Sequence, residues 1–238
     1  MMRLFLPKSY EDIKAKWIFI LGLLFFMFFF FLAAVGIMLE SGGAPSRDVP
    51  FLPPSGKHPL GTDDLGYDVL DLLVRSTPTS LMVGLLGALF SVFIGTAVGM
   101  AAGYVRGVWG EVFSGFIDVV LLVPMLPFMV LLTAYLGPGI GNIVLAIACL
   151  GWCATARAVR AKVLQLRENF FVEALECLGY SQTRILWAHL LPNVSDVVSA
   201  RFVLSVAGAM LSEAALSFMG LGDPVRPSWG KMMHFAFH

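Results

Sequence analysis

Charge is scarce in this 238-residue chain: Asp, Glu, Lys and Arg make up 13% of it, where an ordinary soluble domain carries roughly a quarter. Half that density leaves too few charges to cover a water-facing surface, so lipid must cover much of the chain. The 16 basic and 16 acidic residues cancel, which excludes bulk attraction to nucleic acid or to an acidic substrate. Cysteine is nearly absent. Cys149, Cys153 and Cys177 are odd in number and lie in or beside apolar segments, so no disulfide framework is expected. The phosphate loop G-x-x-x-x-G-K-[ST] is missing, because Gly230-Lys231 is followed by Met232 and lacks the upstream glycine. H-E-x-x-H and G-x-S-x-G are missing too. The expectation is therefore a chain with no catalytic residue, no metal site and no cofactor of its own.

What is abundant is apolar surface, at 58% of residues. Residues 17–39 form a run of about 23 that includes FFMFFFF, long enough as a helix to reach about 34 Å and cross a bilayer. Arg3, Lys8, Lys14 and Lys16 precede it as in a signal peptide, but signal cores are only about 7–15 residues long, so an uncleaved helix is expected. Further spans are read at 81–104, 116–136, 140–156 and 193–221. The fold class is thus an all-α polytopic membrane protein with five transmembrane helices. Its parts are a segment at 1–16, the first helix at 17–39, an outer loop at 40–80, and a core at 81–238 that carries a polar loop at 157–192.

Five alternating spans put Arg3, Lys8, Lys14, Lys16, Arg106, Arg157, Arg160, Lys162, Arg167 and Arg184 on one side. Arg47, Lys57, Arg75, Arg226 and Lys231 lie on the other. Positive charge gathers on the cytoplasmic side of short loops, so the amino terminus and the 157–192 loop are expected in the cytoplasm. The second span carries Ser91, Gly95, Gly99 and Gly103 at intervals of four, with Gly84 and Gly87 upstream. Such a face lets a neighbouring backbone approach closely, within the subunit or between copies. Pro124 and Pro127 interrupt the third span, and the carbonyls they free must be met by protein or water.

Glu173 to Pro192, EALECLGYSQTRILWAHLLP, is a polar, helix-prone stretch between two apolar segments. Residues 173–178 and 181–190 read as short helices, with Gly179 free to take the positive φ that a sharp turn between them needs. Phe170, Phe171, Ala174 and Leu178 can share an apolar face. Pro192 suits the first turn of the following helix. On physics alone the stretch is either a surface for a soluble partner or an amphipathic hairpin lying on lipid.

Its spacing resembles the cytoplasmic "EAA" loop of ABC-importer permeases: Glu-Ala at 173–174, Gly179 six residues after Glu173, and Leu-Pro at 191–192. Most of the chain resembles the dipeptide/oligopeptide/nickel branch of that family. HPLGTDDLGYDVL at 58–70, LGPGIGN at 136–142, SEAALSFMGLG at 212–222 and PSWGKMM at 227–233 carry the likeness in the family's order. The resemblance implies a type I ABC-importer permease fold in the cytoplasmic (inner) membrane. It implies pairing with a second permease subunit, two ATPase subunits that hold ATP and Mg, and an extracytoplasmic substrate-binding protein. It makes Glu173, Ala174, Glu176, Gly179, Arg184, Leu191 and Pro192 the ATPase-docking loop, and peptides, nickel or nickel chelates, or oligosaccharides the candidate substrates. Leu175 stands where the loop pattern has a second Ala and His189 where it has Ile, both expected on the docking surface. Family members continue into a sixth helix, so five of an expected six are seen before His238.

Asp118, Arg201 and Glu213 lie in or at the ends of apolar helices, where a charge costs about 2.5–3.5 kcal/mol at mid-depth. They are the candidates for a translocation path, with a helix–helix hydrogen bond as the alternative for Glu213. Arg201 can either snorkel to the cytoplasmic surface or meet the carboxylate of a passing peptide. Asp63, Asp64 and Asp68 miss the calcium-loop spacing and read as a capped turn entering a helix. Met232, Met233, His234 and His238 read as an ordinary loop rather than a soft-metal site, and Cys149 and Cys153 as helix packing. Two rival classes remain: an intramembrane enzyme using Asp118 and Glu213, and a non-transporting assembly subunit.

Overall fold

Among the described residues every regular element is a helix, apart from two isolated antiparallel bridges, Arg47 with Tyr67 and Thr62 with Asp68. The computed structural model describes residues 8–43 and 45–237, and leaves the side chains of 8–16, 18 and 19 undescribed. Arg3, His238 and the side chains of Lys8, Lys14 and Lys16 therefore lie outside the described residues. The chain divides into two compact units, Met1–Pro78 and Thr79–His238.

In the first unit, α1 (Lys8–Ser41) contains a membrane-length apolar stretch, Ile20–Ser41. Its Phe25, Phe26, Phe28 and Phe31 all face outward, as suits a helix whose surroundings are hydrocarbon. The helix ends where Arg75 Nη1 donates to the carbonyls of Leu39 (2.7 Å) and Gly43 (2.8 Å), a cationic cap on the helix end. Arg75 Nε is held in turn by Asp71.

α2 (Val69–Tyr104) starts twelve residues earlier than the span expected at 81, so residues 69–80 are helix and not loop. The cause is Asp68, whose Oδ1 accepts from the amides of Leu70 (2.8 Å) and Asp71 (3.0 Å) as an N-cap. Pro78 sits inside this helix and frees the carbonyl of Val74. Gly36 of α1 packs directly on that oxygen, where a side chain would collide with it. The loop before α2 is tied by its own aspartates: Asp63 Oδ1 accepts from Leu65 and Tyr67, and Asp48 pairs with Lys57 at 2.5 Å. His58 is buried, with Nδ1 2.8 Å from Asp68 and Nε2 3.4 Å from Asp48.

In the second unit the small-residue ridge of α2 meets α5 (Ile140–Arg167) within one subunit. A side chain at Gly95 would lie 2.5 Å from the carbonyl of Trp152, and one at Gly99 2.5 Å from that of Ala156. Gly84 and Gly87 meet side chains instead: Met210 of α8 (Leu191–Phe218) for Gly84, and Ile147 of α5 at 3.0 Å with Ala209 of α8 at 3.3 Å for Gly87. The third span is broken rather than kinked. α3 (Val108–Leu121) and α4 (Met125–Leu136) meet at 80°. Pro124 has no amide and disfavours helical backbone at Val123, so α3 closes early, with Leu122 and Val123 donating to carbonyls three residues back. If the bent pair counts as one span there are five, and otherwise four, helices long and apolar enough to cross a membrane among the described residues.

Past Arg167 come α6 (Phe170–Cys177), the single turn α7 (Gln182–Arg184) and a π-helical turn at Ile185–Leu190, which feeds α8. α9 (Trp229–Phe237) folds back on α8. Gly230 packs on the backbone of Ala214, and the amide of Trp229 donates to Ser80 Oγ at 3.1 Å.

Candidate functional site

The polar loop folds as two short helical pieces about a glycine. Gly179 has φ of +79° with open space where a side chain would go, so the requirement for glycine is conformational. Around it the amide of Gly179 donates to Glu176 and that of Tyr180 to Leu175, both carbonyls in the last turn of α6, which is a Schellman motif.

One face of this hairpin is anchored. Val172, Ile185, Leu190 and Val194 are fully buried and pack with Met100, Val159 and Val163, so the loop is continuous with the core of the helices that support it. Glu176 Oε1 accepts from Tyr104 Oη at 3.1 Å, and its other oxygen lies 3.7 Å from Arg106. Arg167 Nη1 donates to the carbonyl of Gly103 at the end of α2 (3.1 Å). Arg184 lies over the ring of Tyr180 at 4.8 Å, a contact that stiffens the far side of the turn. Leu191 is half-buried and Pro192 exposed at the start of α8.

The other face is open. Phe170 is 89% exposed, Leu178 73% and Trp187 55%, and Glu173 and Ala174 lie exposed beside them. Glu173 makes no hydrogen bond or ion pair among the described residues. An apolar patch with a free carboxylate, on a rigidly rooted hairpin, is a surface built for contact. The apolar face expected from Phe170, Phe171, Ala174 and Leu178 does form, but it is the outward one. Packing is carried by Val172 and Leu175. Leu175 therefore belongs to the anchored side and not to the outward face where the docking surface was expected, because one helical turn turns it inward beside Val172. His189 is half-buried, edge-on to Tyr180.

The three charged residues of the spans are not brought together. Asp118 of α3 accepts from Arg157 Nη2 of α5 at 2.5 Å, with both side chains more than half exposed. Glu213 is 2% exposed and accepts from Ser217 at 2.6 Å and Ser80 at 3.3 Å. Ser80 in turn holds the Trp229 amide, so this carboxylate anchors the PSWG segment. Arg201 lines a cavity of about 290 Å³ bounded by α2, α5, α8 and the α3–α4 break. Its Nε is buried without a hydrogen-bond partner. Arg157, Ser80 and Tyr104 escaped the sequence reading because they meet their partners across 39, 133 and 72 residues, with no local signal.

Among the described residues no three His, Cys, Asp or Glu side chains gather as a metal site. His234 Nδ1 lies 2.7 Å from the carbonyl of Phe218. Cys153 is buried with Trp152 and Ala156, while Cys149 faces outward.

Comparison with known proteins agrees with this architecture. Residues 91–237 match the family described as "Binding-protein-dependent transport system inner membrane component". The dipeptide transport system permease protein DppC of Bacillus subtilis is 34% identical over 227 residues, covering 94% of this chain and 71% of that protein. The oligopeptide transport system permease protein OppC of the same organism is 35% identical over 181 residues, 76% of this chain and 59% of that protein. The glutathione transport system permease protein GsiD of Pectobacterium atrosepticum is 33% identical over 184 residues, 77% of this chain and 61% of that protein. With its all-helical fold, its membrane-length spans and this match across more than half its length, the chain belongs to the inner membrane permease components of binding-protein-dependent ABC transport systems.

Proposed function

We propose that this chain forms one half of the translocation path of an ATP-driven peptide importer and is driven by an ATPase subunit seated on its 157–192 loop. The observation that carries the reading is the two-sidedness of the hairpin. Val172, Ile185 and Leu190 root it in the core, while Phe170, Leu178, Trp187 and the free carboxylate of Glu173 point away. A hairpin lying passively on lipid would have no need of the Schellman turn and the Tyr104–Glu176–Arg106 tie, which make it stiff enough to transmit a push. Glu173, Ala174 and Leu178 contact the ATPase in this reading. Glu176, Gly179, Arg184, Leu191 and Pro192 hold the loop in shape.

The partners are a second permease, two ATPase subunits that hold the ATP and Mg, and an extracytoplasmic binding protein that supplies substrate. The loop and the amino terminus are cytoplasmic. The names of the relatives favour peptides over nickel or oligosaccharides. The rival enzyme gains no support, since Asp118 is paired with Arg157 and Glu213 with two serines rather than with each other.

The test is affinity purification from native membranes, followed by uptake into vesicles. Recovery of an ATPase and a second permease is expected. Glu173→Arg reverses the charge of an outward, unpaired side chain, and is expected to cut peptide uptake at least about tenfold, equivalent to about 1.4 kcal/mol of coupling. The variant should still insert and melt like the parent. Normal uptake by Glu173→Arg would remove the loop from the coupling path.

A further inference from the structure

Arg201 lies ten residues into α8, about 15 Å along the helix from Leu191, among Phe202, Val203 and Leu204. A lone guanidinium there is costly, whereas Asp118 has Arg157, and Glu213 has Ser80 and Ser217. Arg201 makes no hydrogen bond or ion pair among the described residues, and its Nε is buried without a partner. Ser91 is 2% exposed, and its hydroxyl is also unpartnered. Both line the same cavity. A buried donor with no acceptor costs about 1–3 kcal/mol, so two such donors at one cavity point to an acceptor that comes and goes.

The cavity is shaped for one. Gly208, in its wall, has nothing within 4 Å of where a side chain would start, whereas Gly151 closes directly on the Ser91 hydroxyl. Val123 and Met125, which flank Pro124 at the α3–α4 break, line it too. Apart from Ser205, the rest of the lining is apolar. The planar fork of an arginine matches a carboxylate with two parallel bonds. A single such contact in an apolar chamber favours entry without preventing release.

We infer that Arg201, assisted by the Ser91 hydroxyl, is a carboxylate subsite on the path and receives the C-terminal carboxylate of the passing peptide. This rests on the peptide-importer reading above. A lipid phosphate offers the same oxyanion chemistry, and an acidic side chain of the second permease could also meet the charge, so the experiment separates all three.

The complex, with its ATPases, second permease and binding protein, is reconstituted in vesicles, and uptake of tri-alanine is measured for the parent, Arg201→Lys, Arg201→Gln and Gly208→Leu. Arg201→Gln is expected to lose at least about tenfold, and Arg201→Lys, which keeps the charge but not the two-pronged fork, to fall between the parent and Arg201→Gln. Gly208→Leu, which fills the chamber without touching the charge, should lose uptake as well. The losses should be equal in pure phosphatidylcholine and in vesicles containing phosphatidylglycerol. Parent-like uptake by Arg201→Gln, or equal losses for Lys and Gln, would overturn the subsite. A loss that follows lipid composition would assign the arginine to lipid phosphate, and failure of Arg201→Gln to retain the second permease would assign it to that interface. Absence of tri-alanine uptake by the parent would overturn the peptide reading itself, and this inference with it.

Discussion

Glu213 is enclosed at 2% exposure, with the hydroxyl of Ser217 2.6 Å away and that of Ser80 3.3 Å away. Replacing it by leucine leaves two buried hydroxyls without their acceptor, at about 1–3 kcal/mol each. The Glu213→Leu protein is expected to melt several degrees lower in detergent, while Glu213→Gln, which can still accept, should lie between the two. A melt unchanged in Glu213→Leu would mean that the PSWG segment is anchored some other way. In the outer loop the aspartates act through pH. The Lys57 ammonium beside Asp48, with the Val49 amide and the His58 ring, holds its carboxyl down to about 2. Burial pushes the Asp68 carboxyl up, but the amides of Asp71 and Leu70 and the His58 ring outweigh it, so it too lies below the ordinary value. A carboxylate whose folded pKa is depressed stabilises fully above its unfolded value of 3.8 and loses that contribution as pH falls through the folded one. Protease cleavage within 45–68 should therefore be flat from neutral pH to about 4 and rise below it, and Asp68→Ala should cut faster than the parent above that pH through loss of an N-cap worth about 0.5–2 kcal/mol, with the difference narrowing below it.

At the scale of elements, the glycine ridge of α2 decides how two membrane helices meet. A side chain at Gly99 would stand 2.5 Å from the carbonyl of Ala156, with Val159 at 2.9 Å. Backbone cannot yield as a side-chain tip can, so Gly99→Leu must separate α2 from α5, at about 1–3 kcal/mol or more. Gly115 of α3 has open space around it, and Gly115→Leu is the control. The expected outcome is a lowered melting temperature and reduced yield for Gly99→Leu alone. Equal behaviour of the two variants would show that the ridge is not tightly packed. The same close approach explains why Ser91, Gly95 and Gly99 serve packing inside the subunit: α5 already occupies the face that a second copy would need.

For the molecule as a whole, the sidedness proposed from its basic residues can be tested. With the 157–192 loop in the cytoplasm, as proposed, Lys57→Cys should react with an impermeant thiol reagent added to intact cells, and Ser181→Cys only after the membrane is opened. Both positions are exposed, so reactivity reports the compartment. The comparison is made on a chain whose exposed Cys149 and Cys177 are first replaced. The reverse pattern would invert the topology and take the hairpin away from any cytoplasmic ATPase.

The sequence by itself determined that this is an all-helical membrane chain, roughly where its spans lie, and where the two-piece hairpin turns. Each of these depends on local composition or on a single backbone demand: apolar runs the thickness of a bilayer, proline at 124, glycine at 179. The 173–192 stretch was legible as a hairpin about Gly179, but which of its faces is open was not. Val172 and Leu175 face inward only because α2 and α5 offer Met100, Val159 and Val163 to pack against. The fates of the charged residues were likewise decided by tertiary structure. Asp118 finds Arg157 and Glu213 finds Ser80 across 39 and 133 residues, while Arg201 is left facing a cavity. A side chain's sequence states that its charge must be met. Only the packing of distant helices, which sets the distances over which a charge can be paired, decides whether it is.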